Sequence, residues 1–470
     1  MVATTDIAAH QTEAKLRQGS LNLPETIGQS IANISPTLTP ALNIAVVAGI
    51  AGTASWVSYL IATIGCVFVG ANISTLAKRH PEAGSYFVYI GRNLGPVAGA
   101  MAGWLMILAY LACAIAVVTA APLYINTILA PFNLSLNNFW LGVYGAAFLG
   151  LVAFASFRDI KMSSRAGLLL EALSMAIIVV IIAMVVAQKG TVVDPKQLDF
   201  SHMPVGGMMS AMAFAVFSFV GFESSATLAK EARNPQRAVP FAVIGSAAAA
   251  GLFFVVTSYF MVMGSGDNTA AMGSSASPFS DMTKAAHLPW AGAVVYFAAT
   301  ISAFACALAC LNAGSRMLFS MGRYQFLHSS MGMVHKTHQT PYVAVLFSTV
   351  IVMIGYVALA ISEGYLNAFN IGGTISTYGF VMVYLGVSIV SSLDVAKTGK
   401  LSAWNIICSL VGVALMGFVV YSSVIPWPAA PDQYLPQIFA AYIILGLIWF
   451  MVLKSKSPQV LASIANDMEG

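Results

Sequence analysis

Phe217-Ser218-Phe219-Val220-Gly221-Phe222-Glu223, followed by Ala229-Lys230-Glu231-Ala232-Arg233-Asn234-Pro235-Gln236-Arg237 and Pro240, is the stretch on which the fold turns. Its first half belongs to an apolar run of membrane-crossing length. A glycine there weakens the helix, because it costs more backbone entropy than any other residue. A carboxylate at the centre of a crossing helix costs about 2.5–3.5 kcal/mol and must find partners or take a proton. A basic turn carrying Pro235 follows where the helix leaves the bilayer, with Pro240 after it. The stretch therefore reads as a broken span that leaves an apolar medium at a positively charged turn.

The rest of the chain supplies that medium. Of 470 residues, 59% are hydrophobic and 8% are charged, against about 25% charged in a soluble domain. Apolar runs of roughly 20 residues suit α-helices crossing a bilayer, not barrel strands. Twelve such segments centre near residues 40, 65, 110, 148, 177, 216, 252, 305, 352, 380, 411 and 445. With the N-terminus in the cytoplasm, 18 of the 21 Lys and Arg residues fall in cytoplasmic regions and only Lys189, Lys196 and Lys284 fall outside. That asymmetry follows the positive-inside rule and predicts both termini in the cytoplasm of a multi-pass protein of the cytoplasmic membrane. Residues 1–24 form a polar tail with no apolar core or small-residue cleavage site, so no signal peptide is expected. Residues 25–454 form the membrane domain, and 455–470 a second tail.

Three spans contain interruptions. The first reads Asn33-Ile34-Ser35-Pro36-Thr37-Leu38-Thr39-Pro40, with two prolines that remove N–H groups and clash with the preceding turn. The sixth has Val220-Gly221, and the tenth begins near Gly372-Gly373. Spans one and six are five apart. Paired interruptions at matching places in two halves point to a carrier built from inverted repeats, with its site at the midplane. Broken helices offer a partial positive charge at the new N-terminus and carbonyls at the old C-terminus, a match for a zwitterion such as an amino acid. Gly95, Gly99 and Gly103 line one face of the third span and suit close helix packing. The stretch 265–289, rich in Gly, Ser and Ala, is an external segment that carries no legible motif.

Among the acids, Glu171 and Glu223 fall well inside spans. With no Lys or Arg clearly inside a span, no internal salt bridge is evident. Glu223 reads either as a proton-sensing carboxylate or as a structural glutamate that holds the broken helix together. Glu171, within two turns of Arg165, reads as structural and within reach of the cytoplasmic interface. Phe217, Phe219 and Phe222 crowd the sixth break, where an aromatic could cover a bound cation or act as a gate, or pack as ordinary core. The cysteines at 66, 113, 306, 310 and 408 lie in apolar segments. Cys306 and Cys310, at i and i+4, read as packing residues with no third or fourth ligand nearby, so no metal is expected. His328, His335 and His338 share a polar loop without metal-binding spacing. No phosphate-binding loop and no nucleophile–His–acid grouping is present, which argues against ATP-driven transport and against an enzyme. No organic cofactor and no nucleic-acid partner is expected.

Three motifs carry a resemblance: Pro81-Glu82-Ala83-Gly84-Ser85-Tyr86 with Leu94-Gly95-Pro96 and Gly103-Trp104; the stretch quoted first; and Ser315-Arg316-Met317-Leu318-Phe319-Ser320-Met321-Gly322-Arg323 closed by Thr340-Pro341. In this order they resemble the amino acid–polyamine–organocation (APC) family of secondary transporters over nearly the whole chain. The resemblance implies an all-α LeuT-like fold of about 12 transmembrane helices. Two inverted five-helix repeats, about 25–190 and 204–394, are followed by two C-terminal helices, about 402–454. It implies alternating-access import or exchange of a small amino acid or amine, coupled to a proton or by antiport. Substrate would contact Ile34, Ser35, Pro36 and Thr37 on span one and Phe217, Ser218, Phe219, Val220 and Gly221 on span six. Phe217 is similar to an aromatic that lids the site of an arginine/agmatine antiporter of the family, and Glu223 to a glutamate implicated there in pH response. The family's usual Gly-Ser/Ala-Gly break is replaced here by Ile34-Ser35-Pro36-Thr37, and Pro36 withholds an N–H that a substrate carboxylate would use. Ser174 occupies the place of a lysine that substitutes for a coupling sodium ion in some members, so a hydroxyl there is a candidate Na+ ligand. Other readings left open are a channel, a sensor, and a facilitator of another multi-span fold.

Overall fold

A computed structural model describes residues 21–80, 85–158, 160–425, 427–428 and 432–456. Residues 81–84 of the first motif, 1–20 of the N-terminal tail, 457–470 of the C-terminal tail and the side chains of Arg165 and Lys230 lie outside the described residues.

Apart from an isolated bridge between Leu21 and Ala232, the described regular structure is helical. The elements are α1 (Leu23–Ile34), a π-turn (Thr39–Asn43), α2 (Ile44–Ala51), α3 (Ser55–Arg79), α4 (Ser85–Leu94), α5 (Pro96–Leu129), α6 (Asn138–Arg158), α7 (Ile160–Lys189) and α8 (Val205–Phe217). A 3-10 segment (Ser224–Glu231) leads to α9 (Pro235–Gly264), then α10 (Thr269–Ser274), α11 (Pro278–Ala285), α12 (Pro289–Arg323), α13 (Tyr342–Ala396), α14 (Ala403–Ser422) and α15 (Leu435–Lys456). Nine helical stretches among the described residues are long and apolar enough to cross a membrane. Two of them, Leu23–Arg79 and Tyr342–Ala396, run to 57 and 55 residues, more than twice the roughly 20 that one crossing needs.

The helix ends follow local chemistry. Asn22 accepts from the Glu25 N–H at 3.2 Å while Glu25 accepts from the Asn22 N–H at 2.7 Å, a reciprocal cap that starts α1. Ser402 and Asn405 start α14 in the same way. The interruption expected near Gly372-Gly373 is not there. The helix runs through both glycines, and the non-helical residue of α13 is Gly364, at φ 74°. The two glycines serve close packing instead. A Cβ on Gly372 would lie 3.0 Å from Ala116, and one on Gly373 would lie 2.8 Å from the Phe217 ring.

The core is centred on α5, which packs against α12 and α13. Small residues make this possible: a Cβ on Gly99 would sit 2.4 Å from the Phe87 carbonyl of α4, and one on Gly103 would sit 2.8 Å from Met321 of α12. The outer surface is apolar. Helix α15 turns Ile444, Leu445, Ile448 and Met451 outward, a patch that hydrocarbon covers at no cost. The segment 265–289 packs inward: Phe279 and Met282 are buried, and Gly273 lies against Gly49 of α2.

An ion pair occupies the interior, contrary to the sequence expectation. The Arg316 Nε donates to Glu231 Oε1 at 2.6 Å, and its Nη1 donates to the Asn312 carbonyl at 3.1 Å. Both side chains are almost fully buried. The pair was hidden because the 3-10 segment folds back beneath α12, drawing a residue of the basic turn inside. Leu21 reinforces this fold-back, donating to the Glu231 carbonyl at 2.9 Å and accepting from the Arg233 N–H at 2.8 Å. Removing one partner of a buried pair strands the other charge, so E231A should destabilise the protein by about 3–5 kcal/mol. The double variant E231M/R316M should recover most of that loss, read as thermal unfolding of the detergent-solubilised protein.

Candidate functional site between two broken helices

The first break spans Ser35–Thr37. Ser35 takes the left-handed conformation, φ 52°, and donates its N–H back to the Ile31 carbonyl at 3.1 Å. Pro36 and Pro40 have no N–H to contribute, and the chain re-enters the span through a π-turn at Thr39–Asn43, closed by the Ile44 N–H on the Thr39 carbonyl. The second break spans Ser218–Glu223. Its N–H groups fall back on shorter reaches, with Phe219 donating to Val216 at 2.9 Å, Val220 to Phe217 at 3.1 Å and Phe222 to Phe219 at 3.0 Å. Gly221 sits at φ 92°, which a side chain would strain.

The two breaks touch. Asn33 lies over Gly221 so closely that a Cβ there would come within 2.5 Å of the Asn33 side chain. From the other side, Asn43 Nδ2 donates to the Phe214 carbonyl at 2.7 Å and to Ser218 Oγ at 2.6 Å. Tyr59 adds a bond to Ser218 Oγ at 3.2 Å. Ile34, Ser35, Pro36 and Thr37 are all buried, as are Phe217, Ser218, Phe219, Val220 and Gly221, and the contacts between the breaks run through the flanking Asn33 and Asn43. The aromatics divide. Phe219 packs edge-on against Phe254 at 5.2 Å, and Phe222 packs against Tyr384 at 5.3 Å. Phe217 stands on Gly373, 5.8 Å from the Phe369 ring, and retains 8% exposure where the other two have none.

The two acids have different surroundings. Glu223 is fully satisfied: Tyr110 of α5 donates to Oε1 at 2.9 Å, Tyr384 of α13 donates to Oε2, and Tyr86 of α4 donates to the Glu223 carbonyl at 3.1 Å. It pins the broken span to three other helices. Glu171 does not reach for an interface, as its distance from Arg165 in sequence suggested. It is buried beside the first break, where Oε1 accepts the Thr37 N–H at 2.8 Å. The hydroxyls of Thr37 and Ser302 flank the carboxylate. Yet Glu171 Oε2 and Thr37 Oγ1 have no partner in hydrogen-bonding geometry among the described residues. Ser302 instead bonds Ser35 at 2.6 Å. Ser174, one turn beyond Glu171, donates to the Leu170 and Ala298 carbonyls at 2.8 and 3.2 Å and so ties α7 to α12.

Sequence reasoning missed Asn43, Tyr110, Ser302 and Tyr384, and quoted Asn33 in the first break without giving it a role. A polar residue in an apolar run is the signal that marks each one, but only the fold shows that they converge. It also missed a third thiol: Cys113 of α5 lies beside Cys306 and Cys310 of α12. An apolar hollow lined by Met382, Val419 and Phe439 includes no residue of either break and has no charged lining.

The family model described as amino acid permease matches residues 27–460. The chain is 24% identical over 425 residues to the branched-chain amino acid permease BcaP of Bacillus subtilis (strain 168), covering 87% of this chain and 88% of that one. It is 25% identical over 365 residues to the low-affinity putrescine importer PlaP of Escherichia coli (strain K12), covering 75% and 76%. It is 25% identical over 411 residues to the glutamate/serine transporter AimA of Bacillus subtilis, covering 82% and 73%. With a family match along nearly its whole length, two interrupted helices in contact and an apolar exterior, the chain belongs to the amino acid permeases of the APC family and is a multi-pass membrane protein.

Proposed function

We propose that this permease carries a small amine or amino acid across the cytoplasmic membrane by alternating access around the two breaks, coupled to a proton. The contact of Asn33 with Gly221 and of Asn43 with Ser218 carries the reading. Two discontinuous spans joined at mid-length are where carriers of this kind place substrate. The arrangement we infer has twelve crossings, as two inverted five-helix repeats plus α14 and α15. The lengths of Leu23–Arg79 and Tyr342–Ala396, and the half-length α8 continued by Ser224–Glu231, support it.

The first break favours an amine. A fresh helix N-terminus normally offers its N–H groups to an anion. Here Pro36 has none, and the Thr37 N–H is already held by Glu171. A substrate carboxylate would have to displace the protein's own carboxylate. An ammonium group would instead find Glu171 Oε2 and the hydroxyl of Thr37. The amino acid alternative requires Glu171 to release Thr37, which protonation would favour, since a neutral carboxyl holds an N–H more weakly than a carboxylate does. Saturable counterflow of putrescine in proteoliposomes, stronger than that of leucine or glutamate, is the expected result. Exchange of the amino acids alone would reject the amine preference, and conductance without counterflow would reject a carrier.

Glu171 is the residue to which this reading gives the coupling proton. Its Oε2 has no hydrogen-bond partner among the described residues in a water-poor interior, whereas both oxygens of Glu223 are engaged. Sodium held by the same oxygens is the alternative, and a sodium gradient would then drive uptake where a pH gradient would not. With one proton per substrate, a one-unit pH gradient sustains about tenfold accumulation. E171Q should abolish pH-driven accumulation and weaken, without abolishing, amine exchange. E223Q should keep the pH response and lower thermal stability. The reverse outcome would move the coupling role to Glu223.

Phe217 provides a further check, through its contact with Gly373. G373A should push the ring from its seat and slow transport. F217L should restore part of the loss, giving a coupling energy of about 0.5–3 kcal/mol between the two positions. Additive effects would remove Phe217 from the gate.

A further inference from the structure

Cys306 and Cys310 lie one turn apart on α12, and Cys113 faces them from α5. Their three Sγ atoms lie within 4.8 Å of one another, and all three residues are buried and free. Cys306 Sγ donates to the Asn33 carbonyl at 3.1 Å, and Cys310 Sγ donates to Asn33 Oδ1 at 2.8 Å. Asn33 Nδ2 has no partner among the described residues, and the same side chain rests on Gly221. The thiols therefore adjoin both breaks without being part of the proposed substrate contacts.

We propose that Cys113, Cys306 and Cys310 form a binding site for a soft divalent cation such as Cd2+, held by three sulfurs. Sulfur ligands select soft ions, and a three-sulfur set serves those that accept trigonal coordination. At the metal–sulfur distance of about 2.3 Å found for zinc, three trigonal sulfurs lie about 4.0 Å apart. The thiols here need to close by less than about 1 Å, within reach of small side-chain rotations. All three thiols release their protons to water as the divalent ion enters, because the thiolate is the ligand form, and the site's one net negative charge lies beside Asn33 Nδ2, a donor without a partner among the described residues. A hard cation gains little from such donors. The site has two mechanical consequences. It clamps α5 to α12, and it removes thiol protons that now hold Asn33. Asn33 must then turn away from its acceptors' former donors, which loosens the packing on Gly221, so bound Cd2+ should arrest the carrier.

Titration of the purified full-length protein with Cd2+, followed by thiolate-to-metal charge-transfer absorption, tests the site. X-ray absorption then counts the sulfur neighbours. One Cd2+ per chain with three sulfurs is expected. Release of three protons predicts that affinity rises about 1,000-fold per pH unit while the thiols are protonated. C113A should weaken binding about tenfold or more, whereas C66A and C408A should leave it unchanged. Two or fewer sulfurs around the ion overturns the proposal on the unsubstituted protein, whether or not C113A folds. Full affinity in C113A, or loss of the signal in C66A or C408A, overturns it as well. Loss of exchange on adding Cd2+, restored by chelator and absent in C113A, is the expected functional result.

Discussion

Every feature of the interior answers one constraint: a helix broken inside a bilayer frees backbone groups that lipid cannot satisfy. The protein must supply the missing partners from its own side chains. Glu171 takes the Thr37 N–H, Asn43 reaches the Phe214 carbonyl, and Tyr86 reaches the Glu223 carbonyl. Ser224 donates to the Gln29 carbonyl at 3.2 Å, and Ser246 donates to the Phe222 carbonyl at 3.3 Å. These bonds cross between segments far apart in sequence. The breaks are therefore the points at which the bundle is held together.

That economy explains why two buried carboxylates coexist with no lysine or arginine paired to either among the described residues. Glu223 is solvated by phenols, each of which brings a different helix to the broken span. Glu171 accepts a backbone N–H of the unwound segment on one oxygen, and its other oxygen, flanked by hydroxyls, has no partner in hydrogen-bonding geometry among the described residues. The first arrangement suits a brace, because every acceptor is already used. The second leaves capacity for a proton, an ion or a substrate ammonium. Where a charge does need a charged partner, at Arg316 and Glu231, the pair is buried with its own hydrogen bonds to the backbone. Such a pair is weak evidence for stability but strong evidence that neither residue tolerates losing the other.

The first break departs from the family pattern in a way that the geometry makes intelligible. A Gly-rich break presents several N–H groups to a ligand. The Ser35-Pro36-Thr37 break removes one with proline and covers another with Glu171. Both changes take away anion-binding capacity at the same spot. Prolines also stiffen the segment, since each fixes its own φ and biases the preceding residue.

Much of this was legible in the sequence. Hydrophobic run length established a helical membrane protein, the glycine and prolines marked both breaks, and the three motifs identified the family. These features are local: each depends on the chemistry of a few consecutive residues and on the bilayer as solvent. The fate of each side chain was not legible, because it depends on which helices meet. Gly372-Gly373 looked like a break and is a packing surface for Ala116 and Phe217. Glu171 looked peripheral and sits on the first break. Glu231 and Arg316 looked like members of basic loops and form a buried pair, and Cys113 joins two thiols from a distant helix. Sequence alone determined where the helices fail, since backbone propensity is a property of the residue itself. Only the tertiary structure decided what repairs each failure, since a hydrogen bond across a bundle requires two helices to come within about 3 Å at the right register.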